Sequence, residues 1–231
     1  MTDHTVRAYD KELEAIGLKI AEMGGVAEKM LIDAMEALST LNAPLAERTQ
    51  LSDPKLDKLQ REIEEAAVLT IARRQPVAGD LREIIGAIRT ANDLERVGDL
   101  AKNIAKRAGK IIRDARVPRA TVGLKHMGDL AAMQLKDVLD AYAARDAARA
   151  KAVWMRDAEI DALEDSVFRD QLTFMMEDPR NITYCTHLLF CSKNVERIGD
   201  HATNIAETIH YLVTGETLPI ERPKTLETSV K

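Results

Sequence analysis

The sequence predicts an all-α protein, built as two tandem antiparallel three-helix bundles related by internal duplication. Three observations carry that prediction. Ala, Leu, Glu, Lys and Arg, all strong helix formers, dominate the 231 residues, while aromatic residues make up 3% and prolines number seven, too few for an all-β chain. Apolar residues recur at i, i+3, i+4 and i+7 over long stretches. The chain is also written twice.

The repeat is clearest in two segments. Asn92–Ala105 reads NDLERVGDLAKNIA and Lys193–Ala206 reads KNVERIGDHATNIA. Glu95, Arg96, Gly98, Asp99, Ala101, Asn103, Ile104 and Ala105 return as Glu196, Arg197, Gly199, Asp200, Ala202, Asn204, Ile205 and Ala206, an offset of 101. Earlier landmarks return at an offset of 104: Met23-Gly24 as Met127-Gly128, Asp33 as Asp137, Asp53 as Asp157 and Asp57 as Asp161. A three-residue deletion near Pro179 reconciles the two offsets. A repeat of about 100 residues is too long for a solenoid unit and reads as a duplicated small domain.

The elements follow in order. A first helix is expected from about Val6 to Leu41. Asn42-Ala43-Pro44 and Ser52-Asp53-Pro54 are cap and first-turn signals. A second helix is expected from about Pro54 to Arg74, with Leu56, Leu59, Ile63, Ala66 and Ala67 on one face. Gln75-Pro76 ends it, because the residue before proline disfavours the α region. A third helix is expected from about Asp80 to Arg113, its apolar stripe formed by Leu81, Ile84, Ile85 and Ile88 and continued by Leu94, Val97, Ala101, Ile104 and Ala108. Val117-Pro118 separates the halves, and helices near 119–144, 147–177 and 181–213 repeat the plan. The expected division is therefore 1–115, 119–214 and an irregular tail over 215–231. Short connections between long amphipathic helices make each half an antiparallel bundle.

Composition bounds the function. A net charge of −5 argues against non-specific nucleic-acid binding, which needs a basic footprint. No run approaches the ~18 uninterrupted apolar residues of a transmembrane helix. The charged N-terminal stretch lacks the apolar core of a signal peptide, so a cytoplasmic protein is expected. Cys185 and Cys191 lie six apart on a helix and do not share a face; they read as buried thiols of a reducing compartment.

Glu95 and Asp99 stand i, i+4 on one helix face, and so do Asp53 and Asp57 on the helix before. If the hairpin folds at Pro76, Asp57 lies as far before the turn as Glu95 lies after it, and Asp53 and Asp99 are matched in the same way. In the second half Asp161 pairs with Glu196 about Pro179, and Asp157 with Asp200, each pair a single position short of perfect symmetry. Helix rise is constant, about 1.5 Å per residue, so four carboxylates meet at one level in each half, on the bundle flank. Such groupings need counter-charge. Hard oxygen donors suit Mg, Ca, Mn and ferric iron, and zinc also accepts carboxylates. Solvated acids paired with Arg96 and Arg197 are the plain alternative.

Gly98 and Gly199 stand inside helices, each costing about 1 kcal/mol relative to Ala, which implies a close approach of helix or metal to backbone. His201, in the place of Leu100, is either a surface histidine or an added nitrogen ligand. Phosphate-cradling loops and nucleophile elbows are absent. A single ExxH, Glu207 to His210, is half of what a di-iron carboxylate oxidase needs.

ARRQPVAGDLR (Ala72–Arg82), DLERVGDLAKNIA (Asp93–Ala105) and NVERIGDHATNIAE (Asn194–Glu207), with the early Met23-Gly24, resemble the signature segments of the PhoU family over residues 7 to 213. The resemblance implies two tandem three-helix bundles and a regulator that is not an enzyme. It implies surface iron or zinc clusters held by Glu95 and Asp99, Glu196 and Asp200, and their helix-two counterparts Asp53, Asp57, Asp157 and Asp161. It further implies a homodimer that represses the phosphate-starvation response, linking the ATPase of a phosphate ABC transporter to a membrane sensor histidine kinase. The competing reading is a metal-dependent enzyme or metal-handling protein using the same acids; the plainest is a helical scaffold.

Overall fold

The computed structural model describes residues 2–113 and 122–219. The Val117-Pro118 junction, the start of the expected helix at 119, and the tail from residue 220 on lie outside these. Among the described residues the regular elements are all helical: α1 (Thr2–Thr40), α2 (Ala43–Leu51), α3 (Asp53–Arg74), α4 (Gly79–Arg113), α5 (Val122–Ala144), α6 (Ala147–Met155), α7 (Asp157–Glu177) and α8 (Ile182–Thr214), with a 3-10 turn over Pro179–Asn181. α1, the α2–α3 pair and α4 form the first bundle, and α5, the α6–α7 pair and α8 the second.

In both halves the middle rod is broken in two, which the sequence reading missed. Residues 43–51 form a helix of their own, and the helix expected over 147–177 stops at Met155 and restarts at Asp157. Leu41 and Arg145 adopt positive φ at the matched turn before each short helix. Asn42 then caps α2, accepting from the Leu45 N–H at 3.0 Å, and Asp146 caps α6, accepting from Ala148 and Arg149. Pro54 stands in the first turn of α3 and has no N–H for the preceding turn, so the first break is local. Ser52 makes no capping bond; its hydroxyl donates back to the Arg48 carbonyl. The second break has no proline. It is fastened from α5: Gln134 Nε2 donates to the Arg156 carbonyl at 3.1 Å, and the Arg156 guanidinium to Asp137 at 2.7 Å.

One continuous apolar core runs through both halves. The halves meet along α1 against α5 and α4 against α8. The repeated Met-Gly pair explains the first contact. A Cβ on Gly24 of α1 would lie 2.5 Å from Leu139 of α5, and a Cβ on Gly128 of α5 would lie 2.6 Å from Met35 of α1. Met35 and Leu139 are themselves repeat partners, 104 apart, so the crossing is reciprocal. Gly98 and Gly199 serve a similar purpose inside each half, making room for the buried Leu56 and Ile160. At all four positions the missing side chain lets two helices approach closely.

The stripe of α4 needs correction near its start. Ile84 is buried, but Leu81 and Ile85 are each 37% exposed. Ala87 and Ala91 turn inward instead, because small side chains admit the neighbouring helices. Cys185 and Cys191 are both buried free thiols, as expected. No described helix is long and apolar enough to cross a membrane.

Candidate functional site

The α3–α4 hairpin closes in the register read from the sequence. Gln60 and Asn92 are equally far from Pro76 along the chain, and the Gln60 amide donates to Asn92 Oδ1 at 2.7 Å. This brings all four first-half acids into mutual range. Burial pushes the Glu95 carboxyl above its ordinary range; Arg96 opposes the rise, and the charges of Asp99, Asp57 and Asp53 add to it. All four are half-buried on the bundle flank.

The sequence reading missed the group that ties them together. Lys102, one turn beyond Asp99 on α4, donates through Nζ to Asp53 Oδ2 at 2.6 Å and to Asp99 Oδ1 at 2.5 Å. Its side chain is only 20% exposed. Burial works against the ammonium, and the hydrogen bonds to Asp53 and Asp99 outweigh it, holding Lys102 above the ordinary lysine value. Arg96, 61% exposed, lies 3.5 Å from Glu95 and 3.7 Å from Asp99 and adds little by comparison. The signal for Lys102 was present: it is the basic residue at i+3 from Asp99.

The second half differs. Glu196 is again raised by burial, opposed by Lys193, with Asp200, Asp161 and Glu164 adding to the rise. Asp157 is not on the flank, as had been expected; it is 4% exposed, and the buried Thr203 hydroxyl donates to its Oδ1 at 2.9 Å. Glu164, buried and unforeseen, joins the acids in its stead. Lys193 Nζ stands 3.3 Å from Glu164 and 3.6 Å from Glu196. Glu164 and Lys193 are the repeat partners of Gln60 and Asn92, so a neutral amide pair in one half is an ion pair in the other.

His201 does not face the carboxylates. Its Nδ1 donates to Asp93 Oδ1 at 2.9 Å across the seam between α4 and α8, where Asn204 also reaches Asp93. The two members of the ExxH are likewise engaged elsewhere. Glu207 accepts from the buried Trp154 indole at 3.0 Å, and His210 Nδ1 lies 3.1 Å from the Glu216 carbonyl.

Among the described residues, no three His, Cys, Asp or Glu side chains are gathered so as to hold a metal ion. The first-half residues do not fit a resident metal as they stand, because the Lys102 ammonium bridges the oxygens that an ion would share. In the second half the donor chemistry suits a hard cation. Lys193, 57% exposed on a flexible stem, would have to swing out and the acids close in.

Comparison with known proteins agrees with this architecture. The family model described as the PhoU domain matches twice, over residues 20–108 and 124–209. The phosphate-specific transport system accessory protein PhoU homolog of Rhizobium meliloti is 54% identical over 221 residues, covering 96% of this chain and 93% of that protein. Its namesake from Caulobacter vibrioides is 49% identical over 224 residues, covering 97% of each. Among solved structures, PhoU from Pseudomonas aeruginosa superposes with a TM-score of 0.87 at 38% identity, covering 90% of this chain and 100% of that one. The phosphate transport system regulatory protein PhoU from Streptococcus pneumoniae gives 0.84 at 27% identity, covering 92% and 100%. With both repeats matched and the likeness running almost end to end, the chain belongs to the PhoU family.

Proposed function

We propose that this chain is a regulatory adaptor of a phosphate-uptake system, working by contact and not by catalysis. When phosphate is plentiful it docks on the transporter's ATPase subunit and on a membrane sensor histidine kinase, and so holds the phosphate-starvation response off. It acts in the cytoplasm as a homodimer, reaching the membrane through its partners. The observation that carries the reading is the near full-length match to phosphate-specific transport system accessory proteins. A surface feature supports it. Exposed apolar side chains recur at matched positions near the outer ends of the hairpins: Val68 with Leu172, and Leu81 with Ile182. Exposed apolar groups at repeated positions suit protein docking.

Metal cations, iron or zinc first among them, are part of this proposal, with the second-half acids Asp161, Glu164, Glu196 and Asp200 as their oxygen ligands. There Lys193 stands against two of the acids, Glu164 and Glu196, at 3.3 and 3.6 Å. In the first half Lys102 bridges Asp53 and Asp99 more tightly, at 2.6 and 2.5 Å.

Deleting the gene tests the regulatory reading. Phosphate-scavenging genes should be derepressed in phosphate-rich medium and silenced again by the wild-type copy. Normal repression in the deletion strain would overturn it. Elemental analysis of untagged protein tests the metal reading: iron or zinc should fall in Glu196→Ala/Asp200→Ala, and a metal content unchanged by that double substitution sinks it.

A further inference from the structure

The duplication supplies an internal control, because one hairpin occurs twice with different side chains at its centre. At the position one turn past the second acid of the motif, the first half has Lys102 and the second has Thr203. The partner on the facing helix is aspartate in both, Asp53 and Asp157. Thr203 gives Asp157 one neutral hydrogen bond. Lys102 gives Asp53 and Asp99 a full positive charge, 2.6 and 2.5 Å from one oxygen of each.

Those distances place the ammonium in the bridging position that a divalent ion would take between two carboxylates, where metal–oxygen distances run about 2.0–2.6 Å. The two cations are mutually exclusive there, by volume and by charge. The tethered one has the advantage, since it is covalently held at its site and loses no translational freedom on binding. Its stem leaves α4 beside Asp99 and crosses to α3, so the same group that sets a positive charge between Asp53 and Asp99 also cross-links the hairpin.

We propose that Lys102 is the resident cation between Asp53 and Asp99 of the first carboxylate cluster, holding the place where a metal would bridge them, so that exchangeable cations are confined to the second half. The duplicated sites have thus divided into one whose half-buried lysine bridges two acids and one whose lysine is 57% exposed and stands farther from its acids. The assignment to the second half rests on the metal reading above; the exclusion from the first does not.

Mn2+ titration of the purified full-length protein, with free ion followed by electron paramagnetic resonance, tests this. Lys102→Thr reproduces the second-half arrangement and should bind one more Mn2+ per chain than wild type, the extra site disappearing in Lys102→Thr/Asp99→Asn. Its melting temperature should fall in chelator and recover with Mn2+. In the wild-type background, Asp53→Asn/Asp99→Asn should leave the stoichiometry unchanged, a measurement that stands even if Lys102→Thr folds poorly. Loss of a bound ion in that double variant, or no gain in a folded Lys102→Thr, overturns the proposal. Wild type binding no Mn2+ while Lys102→Thr binds one supports it and removes the second-half reading alone.

Discussion

The two halves share a fold but not the means of holding it. In the first, the break in the middle rod is followed at once by Pro54, in the first turn of α3. In the second, the same break occurs at Arg156 without proline, held by Gln134 and Asp137 of the neighbouring helix. In the first, the acids are bridged by a lysine; in the second, one acid has withdrawn beneath a threonine and another has taken its place. Duplication preserved the backbone geometry while the bonds that enforce it were exchanged. A shape shared by both copies is therefore better evidence of what the fold requires than any one interaction.

The largest expected difference lies in the short helices. Trp154 is buried and donates to Glu207, whereas its repeat partner Gln50 is half-buried and returns to the Ala46 carbonyl of its own helix. Trp154→Ala should cost about 3–5 kcal/mol by chemical denaturation, and Gln50→Ala within about 0.5 kcal/mol. Equal costs would mean that the halves are not differently anchored.

Next comes the break. Arg156→Ala should destabilise by about 1.5–3 kcal/mol, since it removes a charged hydrogen bond, while Ser52→Ala should be nearly silent. A pH signature accompanies it. Burial acts to raise the Asp137 carboxyl, but hydrogen bonds from Arg156 and Arg149 outweigh it and hold it below its ordinary 3.8. A depressed carboxyl adds stability above its unfolded value and loses it as pH falls through the folded one. Acid unfolding below about pH 4 should therefore be less steep in Arg156→Ala than in wild type.

Smaller still is the glycine pair. A Cβ on Gly98 would stand 2.1 Å from Leu56, and on Gly199 2.7 Å from Ile160. Gly98→Ala should cost about 1 kcal/mol net, overpacking exceeding the gain in helix propensity, and Gly199→Ala less. Thermal melts rank them, and the reverse order would show that Leu56 yields more easily than Ile160. The smallest effect is expected for Pro54→Ala. The second half keeps its break without proline, so α2 and α3 should remain separate, with amide exchange at the junction little changed. Fusion into one helix would show that proline alone makes the first break.

The acids illustrate how far sequence reading reaches. The hairpin register followed from counting along the chain about Pro76, because helix rise is constant, and Gln60 and Asn92 meet where that count places them. Lys102 and Glu164 were not foreseen. Periodicity assigns a residue to a face, but whether a flexible side chain spans to the next helix depends on distances between elements. The inward turn of Asp157 was hidden for the same reason: it sits at a helix break that no local residue announces.

The sequence by itself determined the helical class, the duplication, the hairpin register and the family. These rest on short-range propensity, regular rise and repeated identity, all of which a single chain carries. Only the tertiary structure decided the second helix break, the exposure of Leu81 and Ile85, the engagement of His201 by Asp93 and the lysine at the centre of the first cluster. Each of these is set by which helix lies alongside, and a side chain's partner is fixed by packing between elements distant in sequence.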